Sequence, residues 1–344
     1  MKLLKKDLKQ IIIGSSILGT GGGGNFDLGL KTVDAIKKSV DLVSLKTIPN
    51  DETVITVFGV GGLKQYGNAK KVILKNVRIL EHLIKTKIKY LIPVEIGPSS
   101  LANTFSVASQ IDCRVVDGDI VGYRASPEVF LETISLRNIS RCPLVASSTN
   151  GTTITINDAS TPEKIEIILR QLSIQTDSKV YVAGYPMPVG KIKKIVGIGS
   201  VSFSLKTGAI ASDATNSRAF VNGLRQLGFV YYGGGLIIKQ QINDGFPGFT
   251  SGKLIISDKK DEYILYYKNE FLLLEKNGLT ILTCPDSIIL VDEIKKNGIN
   301  NGGNNMNKRV LIFGKKSIPI WRSRKGRLLF SPKNIGYQFP QVLL

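Results

Sequence analysis

Two aspartates separated by one glycine stand at the end of an apolar run, in the stretch Val-Val-Asp-Gly-Asp-Ile-Val-Gly-Tyr-Arg-Ala-Ser-Pro-Glu at residues 115–128. Side chains at i and i+2 of an extended chain point to the same side, so Asp117 and Asp119 are predicted to project together from a strand end. Like charges held side by side are costly unless a cation or a shared proton offsets them. The pattern therefore predicts a reactive or cation-binding site. A polar turn in which Asp119 pairs with Arg124 is the simpler alternative.

A third carboxylate follows another apolar segment. Residues 88–94 predict a buried strand, and Glu95 comes directly after it. Ligands of open α/β sheets bind beyond the carboxyl ends of the strands, so we expect Glu95 to meet Asp117 and Asp119 in one pocket. One of the three would act as a general base if its pKa were raised. Alternatively, they would hold a divalent metal (Mg, Mn or Zn) that activates water, and oxygen-only ligands favour Mg or Mn.

Charged residues behind the two aspartates complete the predicted catalytic set. Arg124 is predicted to bind a substrate carboxylate or to orient Glu128 through a charge-assisted hydrogen bond.

His82 is the single histidine of the chain, which excludes a multi-histidine zinc site within one chain. A Ser-His-Asp or Cys-His site would have to use His82. Because His82 lies within a helical pattern at residues 68–87, we set these chemistries aside.

Four consecutive glycines form a second candidate site. They are Gly21, Gly22, Gly23 and Gly24. Such a run lets backbone N–H groups converge on a phosphate or carboxylate, especially where a helix begins just after it. No Lys-Ser/Thr pair follows, as a Walker loop requires, and the run follows a helix, whereas a dinucleotide fingerprint follows a strand. The alternative is that tight packing and a helix C-cap require glycine here. The sequence does not separate the two interpretations.

The composition indicates a folded globular protein. The chain has 344 residues, of which 42% are hydrophobic, which is enough for two domains with substantial cores. No apolar run reaches the roughly 18 residues of a membrane helix, and the N-terminal residues fit no signal peptide. The cysteines Cys113, Cys142 and Cys284 form no CxxC pair and are predicted to be free thiols. A cytoplasmic location follows as the expectation.

Positive charge is concentrated near the C-terminal end. The formal net charge is +19, and residues 294–344 contain eleven Lys or Arg and no Asp or Glu. Such a segment is able to bind a polyanion. A solvated basic surface, or a site for acidic compounds, is the alternative. Since no zinc finger, RNP signature or helix-turn-helix spacing accompanies the charge, nucleic acid is not an expected partner.

Apolar strands alternate with amphipathic helices in the N-terminal half, which predicts an α/β domain with a mostly parallel sheet. The predicted helices cover residues 3–18, 28–38, 68–87, 101–111, 127–136 and 162–172, the first of them broken at Gly14. The predicted strands cover residues 40–45, 54–60, 88–94, 113–116, 143–147 and 152–157, with a glycine turn at Gly61 and Gly62. We place the domains at residues 1–165 and 166–344.

The C-terminal half is predicted to be β-rich and to contain one long helix within residues 200–227. Short strands at regular spacing, separated by glycine turns, favour a sandwich or barrel. They cover residues 229–241, 251–257, 263–267, 271–274, 279–284, 288–291 and 310–313. Residues 297–307, rich in Asn and Gly, are predicted to form a mobile loop.

Short motifs along nearly the whole chain together resemble one protein family. The chain resembles the hydantoinase/oxoprolinase-associated proteins described as S-methyl thiohydantoin desulfurase-like. The motifs are Leu-Gly-Thr-Gly-Gly-Gly-Gly at 18–24, Pro-Val-Glu-Ile-Gly at 93–97, the stretch at 116–128, Gly-Ser-Val-Ser-Phe-Ser at 199–204, Gly-Phe-Thr-Ser-Gly at 248–252, Asn-Glu-Phe-Leu at 269–272, Cys-Pro-Asp-Ser-Ile at 284–288 and Ile-Trp-Arg at 320–322. The resemblance implies an N-terminal α/β domain, a β-rich C-terminal domain and an enzyme acting on hydantoin- or thiohydantoin-like rings.

Three functional hypotheses follow. The first is a hydrolase-type enzyme in which activated water attacks a C=O, C=N or C–S carbon of a small cyclic amide or thioamide. The second is a binding or regulatory protein that uses the same pocket without chemistry. Its motivation is Gly-Pro-Ser-Ser at 97–100, where the family usually has a second glycine and an asparagine. The third is a polyanion-binding protein. A small molecule is the expected partner, a membrane is not, and homo-oligomerisation stays open.

Overall fold

The structure is a computed structural model that describes residues 1–61, 69–243 and 250–344. The first residue of the helix predicted at 68–87, the second glycine of the turn at Gly61 and Gly62, and the start of the motif at 248–252 lie outside the described residues. None of the described helices combines the length and hydropathy that a bilayer-spanning segment needs. The three cysteines are free thiols, as predicted.

Helices cluster in the first two thirds of the chain. The α-helices are α1 (Lys5–Leu18), α2 (Phe26–Asp34), α3 (Ala69–Ile84), α4 (Pro98–Ile111), α5 (Pro162–Gln175), α6 (Val189–Ile192), α7 (Ser200–Asp213), α8 (Ser217–Gln226), α9 (Pro319–Arg322) and α10 (Arg324–Leu329). Short 3-10 helices cover Leu45–Thr47, Val129–Leu131, Thr133–Arg137 and Lys333–Ile335. Local signals explain several starts, since Pro98 and Pro162 occupy the first helical position and Asn25 caps α2.

The strands form two sheets. They are β1 (Lys2–Leu3), β2 (Val40–Val43), β3 (Thr53–Val60), β4 (Tyr90–Leu91), β5 (Arg114–Val116), β6 (Leu144–Ser148), β7 (Thr153–Ile156), β8 (Val180–Pro188), β9 (Phe229–Asn243), β10 (Ser251–Ser257), β11 (Glu262–Lys268), β12 (Glu270–Lys276), β13 (Leu279–Thr283), β14 (Ser287–Asp292) and β15 (Arg309–Lys315). The first sheet has the order β1-β2-β5-β4-β3-β8-β6-β7, and the second has the order β13-β12-β11-β10-β9-β15-β14.

The first sheet is mixed, so the prediction of a mostly parallel sheet is not confirmed, although the α/β character is. Only the inner group β2-β5-β4-β3 of the described sheet pairs in parallel. β8 then pairs antiparallel with both β3 and β6, and β6 and β7 form a hairpin. The helices α3 and α4 separate the parallel strands, whereas residues 149–152 join β6 to β7, and a connection that short permits only antiparallel pairing.

The second sheet is antiparallel throughout its described pairings, which confirms the β-rich C-terminal half. Its strands show the alternation expected of a sheet with one buried face, as in β10 and β11. Consecutive strands from β9 to β13 lie side by side, while β15 returns to pair with β9. This return carries the segment between β14 and β15, residues 297–307, toward the N-terminal half.

Two helix predictions are corrected by the structure. The single long helix expected within residues 200–227 is divided into α7 and α8, because the side chain of Asn216 accepts a hydrogen bond from the Ala219 N–H (2.9 Å) and starts a new helix. The helix expected at 127–136 is replaced by two short 3-10 helices. There the N–H and hydroxyl of Thr133 both donate to the Ile120 carbonyl, which fixes the segment against the neighbouring loop.

The helices α1 and α7 hold the two sheets together. They cross at Gly14 and Gly208, where a Cβ on either residue would overlap the backbone of the opposite helix. α1 is therefore continuous through Gly14, and this glycine permits close helix packing rather than a break. One hydrophobic core joins α1, the first sheet and the strands β14 and β15. This rigid arrangement positions the glycine run, which begins just after α1.

Candidate active site

A cleft of about 880 Å³ lies between the two halves of the chain. Its wall includes the glycine run at 21–24, the first turns of α2 and α4, Glu95, the start of β12 and the Asn-rich segment 297–307. Among the residues that line the cleft are Gly22, Gly23, Glu95, Ser99, Ser100, Glu128, Lys179, Glu270 and Asn301. The structure thus brings together Glu95, Glu128 and the four glycines that the sequence singled out.

The glycine run is bound to the Asn-rich segment. The Gly21 N–H donates to the Ile299 carbonyl (2.7 Å), and the Asn301 N–H donates to the Gly21 carbonyl (2.9 Å). A Cβ on Gly22 would overlap the carboxyl of Glu270, so packing requires glycine at this position. Among the described residues, the N–H groups of Gly22 and Gly23 have no acceptor. Both interpretations of the run therefore have a structural basis, and these two amides stay available to a ligand.

The first turn of α4 leaves polar side-chain atoms without partners. Gly97 precedes the helix, Pro98 opens it, and the Ser99 N–H donates to the Gly23 carbonyl (3.2 Å). The hydroxyl oxygens of Ser99 and Ser100 are buried and have no hydrogen-bond partner among the described residues. Buried polar groups normally find partners. Unsatisfied hydroxyls facing a cleft beside a helix N-terminus indicate where a ligand or water would bind.

Glu95 is held by the loop that follows β5. Its Oε2 accepts a hydrogen bond from the Ser126 N–H (2.9 Å). Burial raises the pKa of Glu95 to about 7, and the nearby charge of Asp119 raises it further, whereas the Ser126 hydrogen bond and the cation of Lys179 oppose the change. A carboxyl with this pKa is divided between its acid and base forms at neutral pH. Glu95 is therefore able to accept or donate a proton.

Glu270 is a site residue that the sequence reasoning missed. It opens β12, only 4% of its surface is exposed, and its Oε2 has no hydrogen-bond partner within the described part of the chain. Burial raises the pKa of Glu270 well above its ordinary value, and the charge of Glu95 adds to the effect, although Arg124 opposes it. The sequence offered only a weak signal, an acidic residue placed directly before the apolar run 271–274.

Asp117 and Asp119 are not among the residues that line the cleft with Glu95, and donors of the protein itself occupy their carboxylates. The carboxylate of Asp117 accepts hydrogen bonds from the N–H (2.9 Å) and hydroxyl (2.5 Å) of Ser202 in the first turn of α7. Asp119 is fully buried and accepts the N–H groups of Val121, Gly122 and Tyr123. Burial raises the pKa of Asp119 to about 6, against those hydrogen bonds. Both aspartates thus accept hydrogen bonds from backbone N–H groups, those of α7 for Asp117 and those of its own loop for Asp119.

The predicted metal ligands do not converge in this geometry. Within residues 1–61, 69–243 and 250–344, no group of three or more His, Cys, Asp or Glu side chains is arranged to hold a metal ion. Metal binding by Glu95, Asp117 and Asp119 stays a prediction. His82 lies exposed on α3, away from the cleft.

Arg124 and Glu128 contact partners other than those predicted. The guanidinium of Arg124 donates to the carbonyls of Pro285 (3.0 Å) and Asp286 (3.4 Å) and lies 4.7 Å from the ring centre of Phe330. It thereby ties the loop after β5 to the second sheet and does not reach Glu128. Glu128 lines the cleft and is paired with the ammonium of Lys268.

The architecture defines a class: a protein of two joined sheets with a polar cleft at their junction. The N-terminal domain of the S-Me-THD-like proteins matches residues 6–158, and their C-terminal domain matches residues 160–343. The chain therefore belongs to the S-Me-THD-like (S-methyl thiohydantoin desulfurase-like) family.

A solved structure shares this fold. The crystal structure of a protein from Chromobacterium violaceum, a structural genomics target, superposes with a TM-score of 0.83. The two sequences are 18% identical, and the match covers 100% of this chain and 99% of the other. At that identity the likeness concerns the fold alone. A comparison with curated proteins yields no match.

Proposed function

We propose that this protein is a hydrolase-type enzyme that acts on a hydantoin- or thiohydantoin-like ring bound in the cleft. The observation that carries the proposal is a concentration of unsatisfied buried polar atoms beside a carboxyl poised near neutral pH. Of the seven buried side-chain atoms without partners among the described residues, four belong to the cleft: those of Ser99, Ser100, Glu270 and Asn301. Perturbed carboxyls and unmet hydrogen-bonding groups favour a site over a structural cluster.

The family name suggests the substrate, an S-methyl thiohydantoin, and the cleft supplies groups for its hydrolysis. In the proposed reaction Glu95 takes a proton from water while the water oxygen bonds to the ring carbon that carries sulfur. The electron pair of the C=N bond moves to the ring nitrogen, which takes a proton from the acid form of Glu270. Gly22 and Gly23 line the cleft, and their N–H groups, which have no acceptor among the described residues, are able to donate hydrogen bonds to the bound ring.

The second half of the reaction releases the sulfur. The C–S bond breaks as the hydroxyl of the intermediate returns its proton to Glu270 and becomes a carbonyl oxygen. The leaving methanethiolate takes the proton held by Glu95. The products are the hydantoin and methanethiol, and both carboxyls recover their starting protonation states.

Turnover of an S-methyl thiohydantoin by the Glu95→Gln protein is the decisive measurement. We expect wild type to release methanethiol and the variant to be slower by roughly 10²–10⁴-fold, the usual contribution of general acid–base catalysis. Retained folding, checked by thermal unfolding, separates lost chemistry from lost structure. Release of methanethiol by the variant at the wild-type rate would remove Glu95 from the reaction.

A binding protein that uses the same cleft without chemistry is the alternative. It is supported by the Ser99 and Ser100 hydroxyls, which occupy positions where the family pattern usually differs. Saturable binding of the ring by calorimetry, with no product after long incubation, would favour it. Binding of a polyanion to the basic C-terminal segment has less support. Several of its cations are engaged internally, as in the ion pairs of Arg309 with Glu293 and of Arg322 with Asp286.

A further inference from the structure

Asn301 lies at the inner edge of the cleft with half of its amide group satisfied. Its Nδ2 donates to the Asn269 carbonyl (2.7 Å), which fixes the orientation of the amide because only the nitrogen is able to donate there. Its Oδ1 has no donor among the described residues, and only 1% of the residue is exposed. Asn301 therefore holds an unused hydrogen-bond acceptor within the wall of the cleft.

Glu270 presents the complementary group beside it. The Asn269 side chain accepts the Thr250 N–H (3.0 Å), and the Asn269 N–H donates to the Thr250 carbonyl (2.7 Å), so the turn that carries Glu270 is held firmly. One carboxyl oxygen packs against Gly22, and the other, Oε2, has no partner among the described residues. Burial and the neighbouring charge of Glu95 favour the protonated form, in which Glu270 donates a hydrogen bond.

Gly21 brings the two side chains to one place. A Cβ built on Gly21 would lie 2.8 Å from the Glu270 Cα and 3.0 Å from the Asn301 Nδ2. Both residues thus flank the same glycine, which has a φ of +95° that side-chain-bearing residues rarely adopt. An unpaired acceptor and an unpaired donor on two residues that flank one glycine of the cleft suit a ligand that offers one donor and one acceptor side by side.

We propose that Asn301 and Glu270 together recognise a secondary cis-amide edge of the ligand, with Asn301 Oδ1 accepting the ring N–H and the Glu270 carboxylic acid donating to the adjacent carbonyl oxygen. Lactams, hydantoins and thiohydantoins present such an edge, whereas their N-alkylated forms lack the N–H. The inference deepens the proposed function by naming the edge of the hydantoin ring that is recognised, the N–H beside the carbonyl oxygen that the reaction forms. Glu270 has recovered its proton at that stage, and the inference rests on the same cleft. A site built to bond an N–H discriminates strongly against an analogue without it, because its acceptor is then left unpaired.

Calorimetry with hydantoin, 1-methylhydantoin, 3-methylhydantoin and 1,3-dimethylhydantoin tests the pair. Wild type is expected to bind hydantoin and to bind the dimethyl compound at least about 100-fold more weakly. The two monomethyl compounds identify which N–H is used. Equal affinity for hydantoin and its dimethyl form, or no binding of hydantoin at all, would overturn the proposal and leave the unpaired atoms to water.

Three variants assign the discrimination to these residues. Asn301→Leu is expected to lose most of the preference for hydantoin over the dimethyl compound. Glu270→Gln keeps a donor and is expected to retain the preference within a few fold, while Glu270→Leu is expected to lose it. Asn304→Ala, in the same segment but exposed and outside the cleft, is the matched control and should behave as wild type. An Asn301→Leu protein with unchanged selectivity would contradict the assignment.

The outcomes separate this inference from the proposed function. Selective binding of hydantoin without turnover of an S-methyl thiohydantoin would refute the enzyme while leaving the recognition pair in place. Turnover without discrimination against N-methylated rings would support the enzyme and refute the recognition pair. Thermal unfolding of each variant shows whether a lost preference comes from a lost fold, and Glu270→Gln provides a conservative change if Glu270→Leu fails to fold.

Discussion

The loop of Asp117 and Asp119 and the cleft of Glu95 and Glu270 both contain carboxyls with little exposure to solvent, yet they differ in how those carboxyls are satisfied. The Asp119 carboxylate receives three backbone N–H groups, and Asp117 receives two donors from Ser202. Glu95 receives one N–H, and one oxygen of Glu270 receives none among the described residues. A saturated carboxylate stabilises the fold, whereas an unsaturated one retains capacity for a ligand. Hydrogen-bond satisfaction, rather than acidity in the sequence, distinguishes the two regions.

The largest expected effect on stability is that of Asp119→Ala. It leaves three buried N–H groups without an acceptor, and we expect the free energy of unfolding to fall by about 2–4 kcal/mol. Asp119→Asn keeps one acceptor oxygen, so its free energy of unfolding should lie between those of wild type and Asp119→Ala. Urea unfolding measures both, and turnover per folded molecule should be retained. A fully stable Asp119→Ala protein that has lost turnover would move Asp119 from the scaffold to the chemistry.

Gly22→Ala should weaken ligand binding with a smaller effect on stability. Its Cβ would overlap the Glu270 carboxyl and displace it, so we expect affinity for hydantoin to fall by about tenfold, or about 1.4 kcal/mol. Gly303→Ala, elsewhere in the wall of the same cleft, is the control for an added methyl group, since a Cβ there meets nothing within 4 Å. Calorimetry compares the two proteins. Equal affinities would show that the contact between Gly22 and Glu270 does not matter for the ligand.

The free energy of unfolding of the protein should depend on pH through Glu95. Its pKa of about 7 exceeds the ordinary 4.5, so the folded state binds more protons between these values than the unfolded state does. The free energy of unfolding therefore falls as pH rises from 4.5 to 7. Because Glu95 is partly exposed, we expect its titration to change the free energy of unfolding by on the order of 1 kcal/mol over this range.

Glu95→Gln has no carboxyl to titrate and should lose that share of the pH dependence. Urea unfolding of wild type and variant at pH 5 and pH 8 gives the difference, which removes the contributions of the other buried carboxyls. Identical pH dependence in the two proteins would mean that the pKa of Glu95 is not raised in the folded state.

The smallest expected effect is that of Asp117→Asn. Gly199 precedes α7 and has no side chain to cap it, so Asp117 supplies the acceptor from another loop. Asparagine also caps helices well, and we expect a loss of only about 0.5–1 kcal/mol, from the charge that favours a helix N-terminus. Thermal unfolding is sufficient to measure it. A loss of turnover with unchanged stability would revive the earlier hypothesis that Asp117 is catalytic.

Strand positions and the location of Glu95 were accessible from the sequence, because both follow from local patterns. The predicted strands at 229–241, 251–257 and 263–267 correspond to β9, β10 and β11, since alternation reports which face is buried. The mixed pairing of the first sheet was not accessible. It depends on the insertion of β8 between β3 and β6. The residues of a strand do not indicate which other strand it pairs with.

The partners of the acidic residues were also not accessible. Asp117 and Asp119 resemble a catalytic pair in the sequence, but the free N–H groups of α7 and of their own loop bind them in the folded chain. Glu270 and Asn301 carried no obvious signal, because their meaning comes from Gly21 and Gly22, which are distant in the sequence and adjacent in space.

By itself the amino-acid sequence determined the family, the alternation of elements and the two stretches that line the cleft, the glycine run and Glu95. These depend on residue type and spacing, which local physical chemistry interprets. Only the tertiary structure decided which carboxyls are saturated and which stay available, because hydrogen-bond partners are brought by chain segments that are remote in sequence. The chemistry of this protein therefore depends on the groups that folding leaves unpaired.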